Sequence, residues 1–301
     1  MPVNTPSTSA AGVPSQRTQR GVTLIELMVG IAIGLLVIAV AMGALMVSRG
    51  VSGTISDASS IQQQSAYVMR VIGLQLRQAG SLYLHPNPTD APADSPAMAP
   101  VAFETTAVST GGGNNFDPAT DTLSSASGTV SVAYRRYKES VHTSATDQTL
   151  ARNCLGGPTD AATNTDQRVE SVFQLNGSEL RCQGNGGVTE PIAQNVANFQ
   201  VRYLVQDNTI PINPTIQYVA AAAVTDWLRV QAVEVCLVLY GSEAIDMPTD
   251  GTSTYRDCDA AGTPVDMAAL TGARARRMHI AYRNVFQLRS QGLTKEQLLP
   301  L

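Results

Sequence analysis

The chain has 301 residues, of which 44% are hydrophobic and 15% charged, and its formal net charge is −4. Soluble proteins average about a quarter charged residues, so this chain is poor in charge, although it is not apolar enough for a membrane protein with many spans. Its hydrophobic content excludes disorder for most of its length, and its mildly acidic balance argues against a dedicated nucleic-acid binder.

The N-terminal segment predicts a single membrane span. Residues 1–20 are polar, with Arg17 and Arg20 as their only charges. After Glu26, the 21 residues of 27–47 carry no charge, and Arg49 follows them. A helix of this length extends roughly 31 Å, which matches the hydrocarbon thickness of a bilayer.

Two ordinary interpretations of this segment leave one residue unexplained. A secretory signal has an apolar stretch of about 7–15 residues, whereas this run is longer and continues past the cleavage-like 39–41. An uncleaved anchor fits the length, and Arg17 and Arg20 would hold the N-terminal side in the cytoplasm. Neither accounts for Glu26, because a carboxylate in a membrane costs about 2.5–3.5 kcal/mol at the bilayer centre and less near the interface.

The residues around Glu26 carry a recognisable motif. The stretch 21–28, Gly-Val-Thr-Leu-Ile-Glu-Leu-Met, resembles the class III signal of type IV prepilins and the related pseudopilins. In that family a membrane aspartyl protease cuts after the glycine, the new N-terminal residue is methylated, and the apolar segment stays on the mature protein. The resemblance implies a leader peptide 1–21, cleavage between Gly21 and Val22, and N-methylation of Val22. Family members more often have Phe at the position of Val22.

The resemblance also implies a role for Glu26. In a pilus, the family pairs this carboxylate with the N-terminal amine of a neighbouring subunit. Cleavage would create such an amine at Val22, with an ordinary pKa near 8, and a matched pair is less costly to bury than a lone charge. We therefore expect Glu26 to set the register of assembly; the alternative is that it only reaches the membrane interface.

The helix is predicted to continue well beyond the span. Residues 22–80 contain no proline, and the uniformly apolar pattern becomes amphipathic after Gly53. The first half is expected to face lipid or a filament core and the second half to pack on a globular head. Gly43 stands where many major pilins have a helix-breaking proline, and Gly30, Gly34 and Gly43 permit close helix approach. The amphipathic positions are Ala58, Ile61, Ser65, Val68, Ile72, Leu76 and Ala79.

The head, residues 81–301, reads as β-rich. Residues 84–115 contain five prolines, a triple glycine and no clear periodicity, which predicts an extended loop. The pair Asn176-Gly177 predicts a hairpin turn. The stretches 74–80, 191–196 and 282–286 resemble PilW-type minor pilins, which implies an α+β fold with a long N-terminal helix on an antiparallel sheet. The strand candidates are Thr129–Tyr137, Arg168–Leu175, Ser178–Cys182, Phe199–Val205, Leu228–Tyr240 and Met278–Leu288.

Four cysteines are expected to form disulfides, because the resemblance places the head in the oxidising periplasm. Nearest-neighbour pairing, Cys154 with Cys182 and Cys236 with Cys258, would close loops of about 28 and 22 residues, each contributing about 3 kcal/mol. A bridge between the strand candidates that carry Cys182 and Cys236 is the rival. The spacings contain no zinc motif.

The remaining signals are weak. Single histidines have no catalytic partner at a telling spacing, and the triple glycine 111–113 lacks the strand and the lysine of a phosphate loop. Two oxygen-rich stretches allow calcium, although solvated turns are the default, and a basic cluster allows a subunit contact, DNA phosphates or plain solvation. The histidines are His85, His142 and His279. The oxygen-rich stretches contain Asn114, Asn115, Asp117 and Asp121, and Asp246, Asp250, Asp257 and Asp259. The basic cluster consists of Arg274, Arg276, Arg277 and Arg283.

The resemblance implies a minor pilin that takes part in the assembly and priming of a type IV pilus at the filament tip, with twitching motility and adhesion as the associated activities. We expect it to be non-enzymatic and to have no cofactor or metal. Its expected partners are prepilin peptidase, other minor pilins and the major pilin, and no nucleic acid is expected. We expect it in the bacterial inner membrane through 27–47, with the head periplasmic, and in the filament. The alternatives are a minor pseudopilin of type II secretion and a membrane-anchored periplasmic binding or adhesive protein.

Overall fold

One long helix, α1 (Leu24–Gln78), precedes thirteen strands in the computed structural model, which describes residues 21–80, 82–84, 101–126, 128–207 and 215–289. The chain divides into two compact units, Met1–Val51 and Ser52–Leu301, so the second half of α1 belongs to the head. The strands are β1 (Leu82–Leu84), β2 (Val101–Phe103), β3 (Leu123–Ser124), β4 (Val130–Arg135), β5 (Arg168–Asn176), β6 (Glu179–Gly184), β7 (Thr189–Ala193), β8 (Val196–Asp207), β9 (Thr215–Val219), β10 (Val230–Ala244), β11 (Thr254–Arg256), β12 (Pro264–Asp266) and β13 (Arg277–Gln287).

The described strands form antiparallel sheets. A five-stranded sheet follows chain order from β3 to β7, and a four-stranded sheet has the order β13-β10-β8-β9. Strands β1 and β2 form one separate pair, and β11 and β12 form another. The long helix with antiparallel sheets confirms the predicted fold class.

The second half of α1 provides one wall of the main core. Four apolar residues of this half are at most 2% exposed: Ile61, Val68, Ile72 and Leu76. They lie on one helical face because successive members are separated by about one or two helical turns. They pack against the inner faces of both larger sheets in a single apolar cluster. The amphipathic pattern predicted for this part of the helix is therefore the pattern that builds the core.

A neutral hydrogen-bond network joins α1 to the five-stranded sheet. The Gln75 side chain is buried and donates to the Arg152 carbonyl at 3.1 Å. Its amide oxygen accepts from the hydroxyls of Tyr134 and Ser171, at 3.2 and 3.0 Å. Because buried polar groups are costly unless they are paired, these bonds fix the position of the helix on this sheet.

A charged contact joins α1 to the four-stranded sheet. The Asp57 carboxylate is 5% exposed and accepts hydrogen bonds from the Ser242 N–H, the Ser242 hydroxyl and the Glu243 N–H, at 3.1, 2.7 and 2.8 Å. A Cβ at Gly241 would collide with this carboxylate, so only glycine fits there. The Arg277 guanidinium binds the carbonyls of Gly241 and Ser242 from the other side.

Residues 245–276 form an insertion that covers part of the outer face of the four-stranded sheet. Tyr255 and Cys258 of the insertion pack on Cys236 and Val238 of β10 in a second apolar cluster. The Cys236–Cys258 disulfide joins the two layers covalently. The sequence predicted the disulfide partner of Cys258 but not the packing of this segment on the sheet.

The structure moves the predicted hairpin turn by one residue. Asn176 pairs with Glu179, so the two loop residues are Gly177 and Ser178 rather than Asn176 and Gly177. Gly177 has a φ of 60°, which a glycine adopts at the first loop position of a type II′ turn. The segment expected to be loop over 84–115 also contains β2, and it begins within β1.

Candidate assembly site at the N-terminal helix

The start of α1 is fixed by a capping box that the sequence analysis missed. Thr23 precedes the helix, and its N–H and hydroxyl both donate to Oε2 of Glu26 at 2.9 Å. The Glu26 N–H donates in return to the Thr23 hydroxyl at 3.3 Å. This reciprocal arrangement satisfies donors that a helix start leaves unpaired, and the pattern Thr-x-x-Glu signals it in the sequence.

Glu26 retains binding capacity after capping the helix. Both bonds from Thr23 go to Oε2, and no hydrogen bond to Oε1 is present among the described residues. Cleavage after Gly21 would leave Thr23 in place, so the cap does not depend on the leader. The same carboxylate can therefore hold its own helix and accept a second donor.

The first half of α1 has no apolar partner among the described residues. All residues of 24–51 are exposed, although almost all are apolar; Leu24, for example, is 76% exposed. The helix is long and apolar enough to cross a membrane, with a mean hydropathy of 2.7 in its most apolar window, and it starts near the N terminus. A surface of this kind requires an apolar environment outside the chain.

Three glycines of this half are not required by the fold of the chain itself. A Cβ added at Gly30, Gly34 or Gly43 would meet no other described atom within 4 Å. The helix runs through Gly43 without interruption. Since glycine weakens a helix by about 1 kcal/mol relative to alanine, these positions lower helix stability without a packing partner among the described residues.

The predicted processing residues lie next to the helix start. Gly21 and Val22 are exposed and non-helical, directly before Thr23. The leader residues 1–20, which include Arg17 and Arg20, lie outside the described residues. Gly21, Val22 and Glu26 thus lie in one short segment at the helix start, and cleavage and methylation there stay predictions.

The four cysteines pair in the nearest-neighbour arrangement. One disulfide joins Cys154 to Cys182 and the other joins Cys236 to Cys258. The rival bridge between Cys182 and Cys236 is absent, because each sulfur is already used.

The weak signals of the sequence are structural features in the described part of the chain. His142 lies in an exposed loop and His279 is buried, whereas His85 lies outside the described residues. Gly111 and Gly113 lie so close to Thr165 that a Cβ would collide with it, which explains the glycines without a phosphate. No group of three or more metal-binding side chains occurs among the described residues.

The oxygen-rich stretches bind their own backbone and side chains. Asp250 accepts from Thr252, Asp259 from Thr263, and Asp121 from the Asp117 N–H. In the second stretch, Asp257 accepts a hydrogen bond from Asn198 at 2.7 Å, and Asp246 pairs with Arg276. In the first stretch, the Asn114 N–H donates to Asp166, and the Asn115 side chain accepts from the Ser109 N–H. These bonds stabilise turns and tie loops together.

The basic cluster is likewise engaged within the chain. Arg274 donates to the Ala197 carbonyl at 3.3 Å, and Arg276 pairs with Asp246. Arg277 holds the β10 carbonyls, as described above, and Arg283 pairs with Glu234 at 3.0 Å. Each guanidinium therefore fastens the insertion or the sheet, and the cluster is not a free basic patch.

Comparisons with known proteins match two parts of the chain. Residues 16–42 match the prokaryotic N-terminal methylation motif, and residues 160–290 match the family described as type IV pilus-assembly protein W. No curated protein matches in sequence. Among solved structures, a type IV-like pilin from Thermus thermophilus is 12% identical with a TM-score of 0.37, covering 77% of this chain and 98% of its own.

The two matched regions correspond to the features derived above. The methylation motif contains Gly21, Val22, the capping box and the start of the apolar helix. The other match runs from just before β5 to just after β13. The protein is thus a type IV pilin-like, pilus-related protein that joins a prepilin motif to a PilW-type domain.

Proposed function

We propose that the protein is a minor pilin that takes part in the assembly and priming of a type IV pilus at the filament tip. The observation that carries this proposal is the first half of α1, which is apolar on every side and exposed throughout 24–51. Lipid would cover this surface before assembly, and the helices of neighbouring subunits would cover it in the filament. Gly30, Gly34 and Gly43 would let those helices approach closely.

Processing would prepare the helix to move from the lipid bilayer into the filament. Prepilin peptidase would remove the leader 1–21, and methylation would follow on the new amine of Val22. Oε1 of Glu26 would then accept the amine of a neighbouring subunit while Oε2 keeps its bonds to Thr23. The pairing would set the register between subunits, since a buried ion pair is favourable only in close geometry.

The head would lie in the periplasm. Both disulfides are expected only in an oxidising compartment, and the basic leader residues would stay on the cytoplasmic side of the span 27–47. In this arrangement the leader 1–21, the helix 22–80 and the head 81–301 have separate roles. The partners would be other minor pilins and the major pilin, in a filament that supports adhesion and twitching motility.

Mass spectrometry of the protein from membranes tests the processing step. We expect a mature N terminus at methylated Val22; an intact Met1, or a cut after Ala41, would contradict the proposal. The pilus is tested by shearing surface filaments and by deleting the protein. We expect the protein in the sheared fraction and a loss of twitching, whereas a deletion that stops only enzyme secretion would indicate a type II pseudopilin.

A further inference from the structure

Among the described residues, part of the edge of β8 has no neighbouring strand. On one side β8 pairs with β10 along nearly its whole length, but on the other side β9 pairs only with Tyr203–Asp207. Strand β9 ends at Val219, opposite Tyr203, and the chain continues into the short 3-10 helix Ala221–Ala223. Because alternate residues of an antiparallel strand point their N–H and C=O groups to opposite sides, two residues of the stretch Phe199–Arg202 have backbone groups on this side that lack a strand partner among the described residues.

A cleft of about 460 Å³ lies along this open edge. Four consecutive residues of β8, Phe199–Arg202, form one wall, and Ser125 with Gly128–Val130 lines the cleft as well. Ala220, Ala221 and Ala260 leave room because their side chains are small. The cleft therefore combines a strand edge with space for the side chains of another strand.

The charges around the cleft balance. Arg202 is paired with Glu234 at 2.7 Å, and its guanidinium lies over the Tyr218 ring at 5.2 Å. Glu234 also pairs with Arg283, which in turn donates to the backbone carbonyl of Asp259. The Asp259 carboxylate also interacts electrostatically with Arg283. Two arginines and two carboxylates thus offset one another, which disfavours a phosphate-rich or strongly charged ligand.

We propose that this edge receives an extended, uncharged segment of a neighbouring pilin-like subunit, which would add to the four-stranded sheet beside β8. Main-chain hydrogen bonds supply affinity in this mode of binding, and pockets for alternate side chains supply specificity. The segment would continue the line of β9 beyond Val219. The identity of the partner rests on the proposed function, whereas the open edge itself does not.

Photo-crosslinking tests the partner in cells that produce the full-length protein with its own pilus machinery. p-Benzoylphenylalanine is placed at Gln200, an exposed strand residue in the cleft, and at Gln174, an exposed strand residue on the other sheet as a matched control. We expect a product from Gln200 in which mass spectrometry identifies an extended segment of another pilin-like subunit. A product confined to this chain, to lipid, to saccharide or to an unrelated protein overturns the proposal, as does no product.

A cleft-filling variant tests the geometry. In the presence of Ala220→Trp, the yield from Gln200 is expected to fall about tenfold, the effect of losing about two net main-chain hydrogen bonds. Ala119→Trp, at an exposed loop position away from the cleft, serves as the control and should leave the yield unchanged. Equal yields in the two variants would overturn the proposal, provided that both retain the wild-type melting temperature.

Hydrogen exchange tests the edge without any partner. In the purified full-length protein in detergent, the amides of Phe199–Arg202 that face the cleft should exchange rapidly, and those that face β10 should exchange slowly. Protection of all four would show that the edge is already covered and would overturn the inference. If Val22 is not the mature N terminus, the proposed function fails regardless of these results; if it is and Gln200 yields no subunit product, only the present inference fails.

Discussion

The two acidic residues of α1 show how differently one helix uses a carboxylate in its two halves. Glu26 is exposed, accepts hydrogen bonds only from Thr23 three residues away, and keeps Oε1 available. Asp57 is buried and accepts three bonds from Ser242 and Glu243, about 185 residues away in sequence. Within the described fold, Asp57 has all its bonds to distant residues, whereas Glu26 acts only at the helix start. Asp57 is therefore assigned to stability, and Glu26 remains available for the assembly role that we propose.

The largest effect is expected from Asp57→Ala. This change leaves the N–H groups of Ser242 and Glu243 without their charged acceptor and should lower the free energy of unfolding of the head by about 3 kcal/mol. That corresponds to a change of more than about 100-fold in the ratio of folded to unfolded protein. Denaturant unfolding of the full-length protein in detergent measures it through Trp227, the single tryptophan, whose ring contacts Tyr203 in the core at 4.9 Å between centroids.

Two control variants separate the contribution of the charge from that of position. Asp57→Asn keeps the shape and one acceptor, so we expect an intermediate loss. Ser56→Ala changes an exposed neighbour on the same helix and should be nearly neutral. If Asp57→Ala were no less stable than Ser56→Ala, the clamp on β10 would not matter to the fold, and the contrast with Glu26 would disappear.

Glu26→Ala should produce the opposite pattern. We expect unchanged head stability, intact cleavage after Gly21 and about tenfold less crosslinking to other pilins. Removing one partner of a buried ion pair costs about 3–5 kcal/mol, and a third of that already gives a tenfold change.

The matched control for this experiment is Thr23→Val, which removes the hydroxyl of the capping box and leaves the carboxylate. Loss of a cap costs about 1 kcal/mol of helix stability. If Thr23→Val reduced crosslinking as strongly as Glu26→Ala, the acid would act mainly by starting the helix, and the pairing with an amine would be the wrong interpretation.

The helix and the longer strands could be predicted because their signals are local. The helix is signalled by its apolar run and by the spacing of its buried residues. Strands β4 and β8 are signalled by alternation, and β10 by a long, mostly apolar stretch. Even so, the hairpin turn was displaced by one residue, because Gly177 satisfies the positive φ at either loop position. Local sequence patterns therefore predicted the positions of helices and strands more accurately than the positions of the turns between them.

Long-range polar contacts could not be predicted from the sequence. Asp57 lies in the polar stretch Ile-Ser-Asp-Ala-Ser, where it resembles a solvated residue, and its partners belong to the end of β10. The open edge of β8 depends on where β9 stops, which no local pattern records. By contrast, the capping box at Thr23 and Glu26 was visible in the sequence and was overlooked beside the membrane motif.

The smallest expected effect concerns pH and sharpens the assignment of stability to Asp57. Burial tends to raise the pKa of Asp57, but hydrogen bonds from Glu243 and Ser242 lower it more, so its pKa lies below the usual value. Its contribution to stability is complete above a pH of about 4 and is lost as the pH falls through the folded pKa. If Asp57 were the only titrating contact, stability would therefore change only in strong acid.

His279 adds a separate step at milder pH. It is buried and stacks between Tyr255 of the insertion and Tyr240 of β10, with ring centroids 4.9 and 5.6 Å away. Burial is the main effect that lowers the pKa of His279, and the charge of Arg274 lowers it further. The hydrogen bond to the Arg277 carbonyl and the charge of Asp257 raise the pKa, but the net shift is downward. The neutral ring is therefore favoured in the fold, and its contribution is complete above about pH 6.5 and decreases as the pH falls below that.

The melting temperature of the full-length protein should accordingly fall by a few degrees between pH 7.5 and 5. His279→Phe keeps an aromatic ring between the two tyrosines but cannot titrate, so its melting temperature should change less over this range. Asp57→Asn should retain the His279 step below about pH 6.5 and lose the one in strong acid. If the melting temperature of the wild-type protein stayed constant from pH 7.5 to 5, the fold would not disfavour protonation of His279. Asp57 would then be the more acid-sensitive of these two contacts.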